Sequence, residues 1–110
     1  MENYSLIKAA YLVSHKCHKR VSALRFAKHR KWYVKRLRLT AQKYGVSIIN
    51  YLVSKDGIYL LCAAEDPKIL SATMQVLQSS ASKEFASKRG GESAMWQGRF
   101  NITFVYGDAW

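Results

Sequence analysis

Apolar residues in this chain recur at two spacings, and their order predicts alternating strands and helices. A mostly apolar run centred on Ala10 to Ser14 predicts a first strand. From Ser22 to Tyr44 the apolar residues recur three, four or seven positions apart, which predicts a helix that Gly45 ends. The apolar face of that helix is predicted to consist of Phe26, Tyr33, Leu37, Ala41 and Tyr44.

A hairpin is predicted next. The segments Val46 to Ser54 and Ile58 to Ala63 are rich in β-branched and aromatic residues, as strands are. The Asp56-Gly57 pair between them is a turn signal. We therefore expect two antiparallel strands joined by a tight turn.

The last part of the chain predicts a second helix and a fourth strand. Asp66 suits an N-cap and Pro67 the first helical position, so the helix is expected to run to about Ser87. Its apolar stripe is Leu70, Met74, Leu77, Ala81 and Phe85. The alternating run Phe100, Ile102, Phe104, Tyr106 predicts a strand with one buried face.

This order of elements, βαββαβ, predicts an α+β ferredoxin-like fold with a four-stranded antiparallel sheet and two helices on one face. A chain of 110 residues can bury one ordinary core, so residues 1–110 are expected to form a single domain. No segment reaches the ~20 apolar residues of a membrane span, and no signal peptide is evident, which favours a cytoplasmic protein. Two cysteines cannot form a framework of several disulfides.

The charge is strongly basic and unevenly distributed. The net charge is +11, and thirteen basic residues but no acidic one fall between Glu2 and Asp56. Such a surface attracts polyanions, of which nucleic acid is favoured over an anionic membrane surface. On the first helix, opposite the apolar face, the basic side chains form a stripe: Lys28, Lys31, Lys35 and Arg38. The stripe is either a solvated helix face or a contact to nucleic acid.

Four segments resemble the single-tyrosine (HUH-type) transposases of insertion sequences and repetitive extragenic palindromes (REP). Tyr51 to Leu61, YLVSKDGIYLL, is similar to that family's aromatic-x-V-(T/M)-x-N-H-V-H-L-L strand. In this register Gly57 and Tyr59 stand where the family has its two histidines. The further segments are Tyr11 to Arg20, Tyr44 to Val53, and Met95 to Phe100, of which MWQGRF is the most specific.

The resemblance implies a degenerate catalytic centre. Enzymes of the family hold Mg or Mn with the two histidines and attack the phosphate with a tyrosine on a later helix, a step of covalent catalysis. Here Gly57 offers no ligand, and the chain ends at Trp110, about where the nucleophile helix would begin. We therefore expect no metal cofactor and no DNA cleavage by this chain. Tyr59 and Tyr106 are alternative nucleophiles, but strand packing explains both more simply.

What the resemblance leaves intact is DNA recognition, with single-stranded or hairpin DNA as the expected partner and a homodimer as a possible assembly. The residues expected to contact DNA are His15, Lys16, His18, Lys19, Arg20, Arg25, Lys28, Lys31, Lys35, Trp96 and Arg99. Trp96 either stacks on an unpaired base or belongs to the core. His15, Cys17 and His18 could also form part of a metal site, although such sites need further convergent ligands.

Three functions are compatible with these features. The first is a non-catalytic DNA-binding domain related to the transposases. The second is one piece of a longer, active DNA-nicking transposase. The third is a ferredoxin-like domain that binds RNA or only dimerises.

Overall fold

The computed structural model describes residues 9–88 and 94–106 of the chain. They form six elements in the predicted order. The elements are β1 (Ala9–Cys17), α1 (Ala27–Tyr44), β2 (Ser47–Ser54), β3 (Gly57–Ala64), α2 (Pro67–Lys88) and β4 (Trp96–Tyr106). The βαββαβ prediction is therefore confirmed.

The four strands form one antiparallel sheet in the order β2-β3-β1-β4. Both helices lie on one face, since α1 and α2 contact each other as well as the sheet. The other face is left without a covering helix among the described residues. Strands β2 and β4 are the sheet edges. Because Lys16 near the end of β1 pairs with Gly57 at the start of β3, the tip of the β2–β3 hairpin lies beside the end of β1.

The core lies between the helices and the sheet, because alternate residues of the central strands point to the same face. Val13 of β1 and Ile58 and Leu60 of β3 are fully buried there. The whole predicted stripe of α2 is buried, and α1 contributes Tyr33, Leu37 and Ala41. This core fixes the positions of the two helices relative to the sheet.

Two helix-end predictions are confirmed by local geometry. Gly45 follows α1 with φ 75°, in the left-handed region that glycine adopts without steric cost. The Asp66 carboxylate accepts a hydrogen bond of 2.9 Å from the amide of Lys68, as an N-cap does.

The first helix begins later than its periodicity predicts. Its N-cap is Phe26, whose backbone is extended, so Phe26 precedes the helix and is 51% exposed. The preceding residues form turns that bury Leu24. Tyr44 at the other end is also exposed, so the prediction that these two aromatic residues belong to the buried face was wrong. Each lies at an end of the helix, away from the central residues that pack on the sheet.

The hairpin turn and the last strand also differ from expectation. The turn residues are Lys55 and Asp56, and Gly57 is already the first residue of β3, paired with Ser54. Phe104 is 60% exposed although it points to the helix side, because β4 is an edge strand. The expectation of a fully buried face on β4 was therefore wrong at Phe104, and the side chain of Tyr106 lies outside the described part.

Candidate nucleic-acid interface

His15 lies inside the protein, in a hydrogen-bonded network with Gln78 of α2. It is 5% exposed, and its ring stacks on Trp96 with centroids 4.4 Å apart. Its Nε2 donates to the Gly98 carbonyl at 2.9 Å, because a carbonyl oxygen can only accept. Nδ1 then accepts from Gln78 Nε2 at 2.9 Å, and Gln78 Oε1 accepts from the Tyr33 hydroxyl at 2.7 Å. Both ring nitrogens of His15 are thus used within the fold.

Burial lowers the pKa of His15, with the Gly98 hydrogen bond opposing the shift less strongly. The folded state then takes up the proton at a lower pH than the unfolded chain, whose histidine has a pKa of about 6.5. The contribution of His15 to the free energy of unfolding is therefore fully present above the pKa of the unfolded chain, and it is lost as the pH falls below that pKa.

We therefore predict that the free energy of unfolding decreases between about pH 7 and about pH 5, by at most about 1.4 kcal/mol per pH unit from His15. Urea unfolding at several pH values measures this loss. His15→Gln should remove most of the pH dependence that His15 causes. An equal slope in wild type and His15→Gln would contradict the prediction.

The WQGRF segment divides between the core and the surface. Trp96 is half-buried, and its indole N–H donates to the Gln78 carbonyl at 3.2 Å. Arg99 is exposed beside a cavity of about 550 Å³ between α2 and β4 that Trp96 also lines. In this structure Trp96 supports the His15 network, while Arg99 can reach a ligand from the surface.

A second group of predicted residues meets where β1 ends, next to the hairpin turn. A cavity of about 300 Å³, here called the sheet tip, is lined by Lys16, His18, Lys19, Lys55, Asp56, Tyr59 and three smaller or polar neighbours. Arg20 and Arg25 are exposed on the loop that leads from the tip to α1. The fold thus brings Lys16 of β1, Lys19 of the following loop and Lys55 of the hairpin turn together. They lie beside the hairpin segment that resembles the transposase motif.

Gly57 has no space for a side chain. A β-carbon there would overlap the carbonyl oxygen of His15 and come within 3.0 Å of the α-carbon of Lys16, because Gly57 pairs directly with Lys16. Tyr59 is 43% exposed on the uncovered sheet face. A phenol and a glycine do not suit Mg²⁺ or Mn²⁺, which prefer carboxylate, carbonyl or water oxygens. Nor do three His, Cys, Asp or Glu side chains meet anywhere in residues 9–88 and 94–106.

The basic stripe of α1 lies on the exposed face of the helix, as predicted. Between this face and edge strand β2 runs an open groove of about 730 Å³, here called the α1–β2 groove. Its described lining contains no acidic residue and consists of Ala27, Arg30, Lys31, Val34, Lys35, Arg38, Leu39, Tyr51, Leu52 and Val53. Lys28 is exposed on the same helix but outside the lining.

Sequence reasoning missed Arg30, Tyr51 and Lys55 as members of these surfaces. Tyr51 was visible only as a strand residue, and nothing in its own segment shows that α1 lies beside it. Arg38 contacts it, with its guanidinium 5.9 Å from the ring centroid and Nη2 donating to the hydroxyl at 3.2 Å. Arg30 donates to the Leu24 and Arg25 carbonyls, which fixes the loop to the start of α1.

Comparison with known proteins agrees with this architecture. No protein-family profile and no curated protein matches the sequence. Among solved structures, a candidate transposase from Deinococcus radiodurans R1 is similar with a TM-score of 0.76 and 15% identity, over 96% of this chain and 85% of the other. A REP-associated tyrosine transposase bound to a REP hairpin is similar with a TM-score of 0.67 and 14% identity.

The second alignment covers 97% of this chain and 62% of the transposase, so this chain spans less than two thirds of that protein. At such identities the likeness establishes a shared fold. It is the fold of the family that the four sequence segments resemble. No helix in the described part of the chain is long and apolar enough to cross a membrane.

Proposed function

We propose that this chain is a transposase-like domain that binds single-stranded or hairpin DNA without cleaving it. The observation that carries the proposal is the set of exposed cations at the sheet tip and along α1, unaccompanied by acids except Asp56 among the described residues that line the tip and the groove. Lysine and arginine at such density bind phosphates and release counterions. The structural neighbour bound to a REP hairpin supports DNA as the polyanion.

The charge at the start of α1 supports a binding role over mere solubility. Lys28 and Arg30 lie in the first turn, which contains no acidic residue, and the N-cap Phe26 has no side-chain hydrogen bond to the helix. Cations near a helix N-terminus are unfavourable by about 0.3 to 1 kcal/mol each because of the helix dipole. A helix selected only for stability would carry acids there, whereas a phosphate-binding helix benefits from the positive potential.

The absence of cleavage is part of the proposal, and Gly57 supports it. The backbone contact between Gly57 and His15 leaves the first motif position without a side chain. Tyr59 supplies a phenol at the second motif position, and a phenol does not suit Mg²⁺ or Mn²⁺. A cytoplasmic location and pairing of two copies through open sheet edges belong to the same proposal.

The proposal predicts preferential binding of a DNA hairpin over an unstructured strand of equal length and over a duplex. Fluorescence anisotropy titrations across a salt series measure this preference. Lys19→Ala/Arg20→Ala should weaken binding to all three and reduce the salt slope by about 2, because each of the two side chains is expected to neutralise one phosphate. The control Lys68→Ala/Lys83→Ala removes the same charge from α2 and should change the slope little.

Equal weakening in both double variants would mean that only net charge matters and would contradict a specific surface. Tighter binding to a hairpin RNA would favour an RNA-binding domain instead. Cleavage of the labelled hairpin in Mg²⁺ or Mn²⁺ would contradict the non-catalytic part alone.

A further inference from the structure

We propose that the α1–β2 groove holds an unpaired nucleic-acid strand, with Tyr51 as the surface on which a base stacks. This inference rests on the proposed function in that it takes nucleic acid as the partner, and it assigns the unpaired part of that partner to a particular groove. Tyr51 is a new contact residue, distinct from the residues that the sequence resemblance singled out.

The groove combines cationic and apolar side chains. Arg30, Lys31 and Lys35 supply cations from one helix face, while Leu39, Tyr51 and Val53 supply apolar surface beside them. A duplex presents phosphates outward and keeps its base faces stacked inside, so it would use only the cations. An unpaired strand presents phosphates and exposed base faces together, and it therefore matches both halves of the lining.

The apolar half of the groove is exposed to solvent. Leu39 is 60% exposed and Tyr51 is 39% exposed, and both line the groove together with the partly exposed Val34 and Val53. Single exposed apolar residues are ordinary on protein surfaces, but a contiguous group flanked by charges marks an interaction site. The four cations of the lining make that site complementary to a polyanion, and they disfavour a neutral or basic peptide.

The side chain of Tyr51 is held in place by Arg38. The Arg38 hydrogen bond to its hydroxyl and the guanidinium near its ring fix the aromatic side chain before any ligand arrives. Ordering the ring in advance reduces the entropy lost on binding. Arg38 keeps further N–H donors for a phosphate, because a guanidinium carries five.

The test measures anisotropy of a labelled oligothymidine of about twelve nucleotides, within the span of known single-strand sites. Tyr51→Leu should weaken binding about tenfold, since removing one base–aromatic stack has an effect of that order. Tyr51→Phe should stay within about twofold of wild type, because the phenyl ring still stacks. The matched control is Tyr44→Leu, which removes an exposed tyrosine at the end of α1 outside the groove.

A second pair of variants distinguishes the effect of cations inside the groove from the effect of the overall positive charge. Lys35→Gln should reduce the salt slope for the oligothymidine, whereas Lys43→Gln, at an exposed lysine on the same helix but outside the lining, should reduce it less. Polyglutamate serves as competitor. If it displaces the strand as effectively as unlabelled oligothymidine at equal charge, an acidic peptide fits the groove as well and the stacking assignment is overturned.

The outcomes distinguish this inference from the proposed function. A hairpin with a single-stranded extension should bind more tightly than a blunt hairpin, and Tyr51→Leu should abolish only that gain. Blunt-hairpin binding without any gain from the extension overturns the groove assignment and leaves the proposed function standing. Tyr51-dependent binding of oligothymidine without hairpin preference supports the groove and contradicts hairpin recognition, and no binding to any strand overturns both.

Discussion

Gly57→Ala should destabilise the domain by about 3 kcal/mol or more, because a single added β-carbon meets backbone and not a flexible side chain. The atoms in its way are the His15 carbonyl and the Lys16 α-carbon of the paired strand. Relief requires β1 and β3 to move apart at the end of their ladder, next to the pair of buried residues His15 and Ile58. Urea unfolding followed by circular dichroism measures the destabilisation.

Gly98→Ala is the matched control for this change. Gly98 has φ 66°, but no atom lies within 4 Å of where its β-carbon would be. Gly57 also has a positive φ, 157°, so backbone strain applies at both positions and at Gly98 it acts alone. We expect a cost of about 1 to 2 kcal/mol for Gly98→Ala. Equal destabilisation in the two variants would show that the close approach at Gly57 has no energetic effect.

The close approach of Gly57 to β1 also limits what can be gained by restoring the two histidines of the metal-binding motif. Gly57→His/Tyr59→His would place histidines at both motif positions, yet the first of them has no space in the present β1–β3 pairing. We expect this variant to lose folding stability before it gains manganese affinity.

Gln78→Ala is expected to destabilise the domain by about 4 kcal/mol, because it leaves buried polar groups unpaired and opens a cavity. The Tyr33 hydroxyl loses its acceptor and His15 Nδ1 loses its donor, and both side chains are buried. Burial also raises the pKa of Tyr33, so ionisation cannot replace the missing hydrogen bond.

Thermal and urea unfolding measure this effect, with Gln75→Ala as control. Gln75 is exposed on the same helix, and its replacement should cost less than about 0.5 kcal/mol. In Tyr33→Phe/Gln78→Ala the orphaned hydroxyl is absent, so the double variant should be destabilised by less than the sum of the two single effects. Additive effects would contradict a shared network.

Several elements could be predicted from local residues alone. Asp66, Pro67 and the stripe from Leu70 to Phe85 determine α2, because capping and helical spacing act within a few residues. The start of α1 could not be predicted this way. Ala23 and Leu24 fit an apolar pattern, but they are buried from a loop, since packing against the core outweighs helix periodicity there.

The candidate interface was only partly accessible to prediction. The cations of α1 were visible as a stripe, because their spacing is a property of one helix. His15 was expected to contact DNA, but its partner Gln78 is 63 residues away, so the buried network depends on strand and helix placement. Tyr51 became a candidate contact only because α1 packs beside edge strand β2.

The order of the elements, the ferredoxin-like fold and the concentration of positive charge before Asp56 all follow from spacing and composition along the chain, so the amino-acid sequence was enough to predict them. Which residues meet depends instead on the packed domain. Strand register places Gly57 against His15, and helix packing forms the groove beside Tyr51. Burial and charge proximity depend on distances through space, and residues far apart along the chain set those distances only after the sheet and helices have packed.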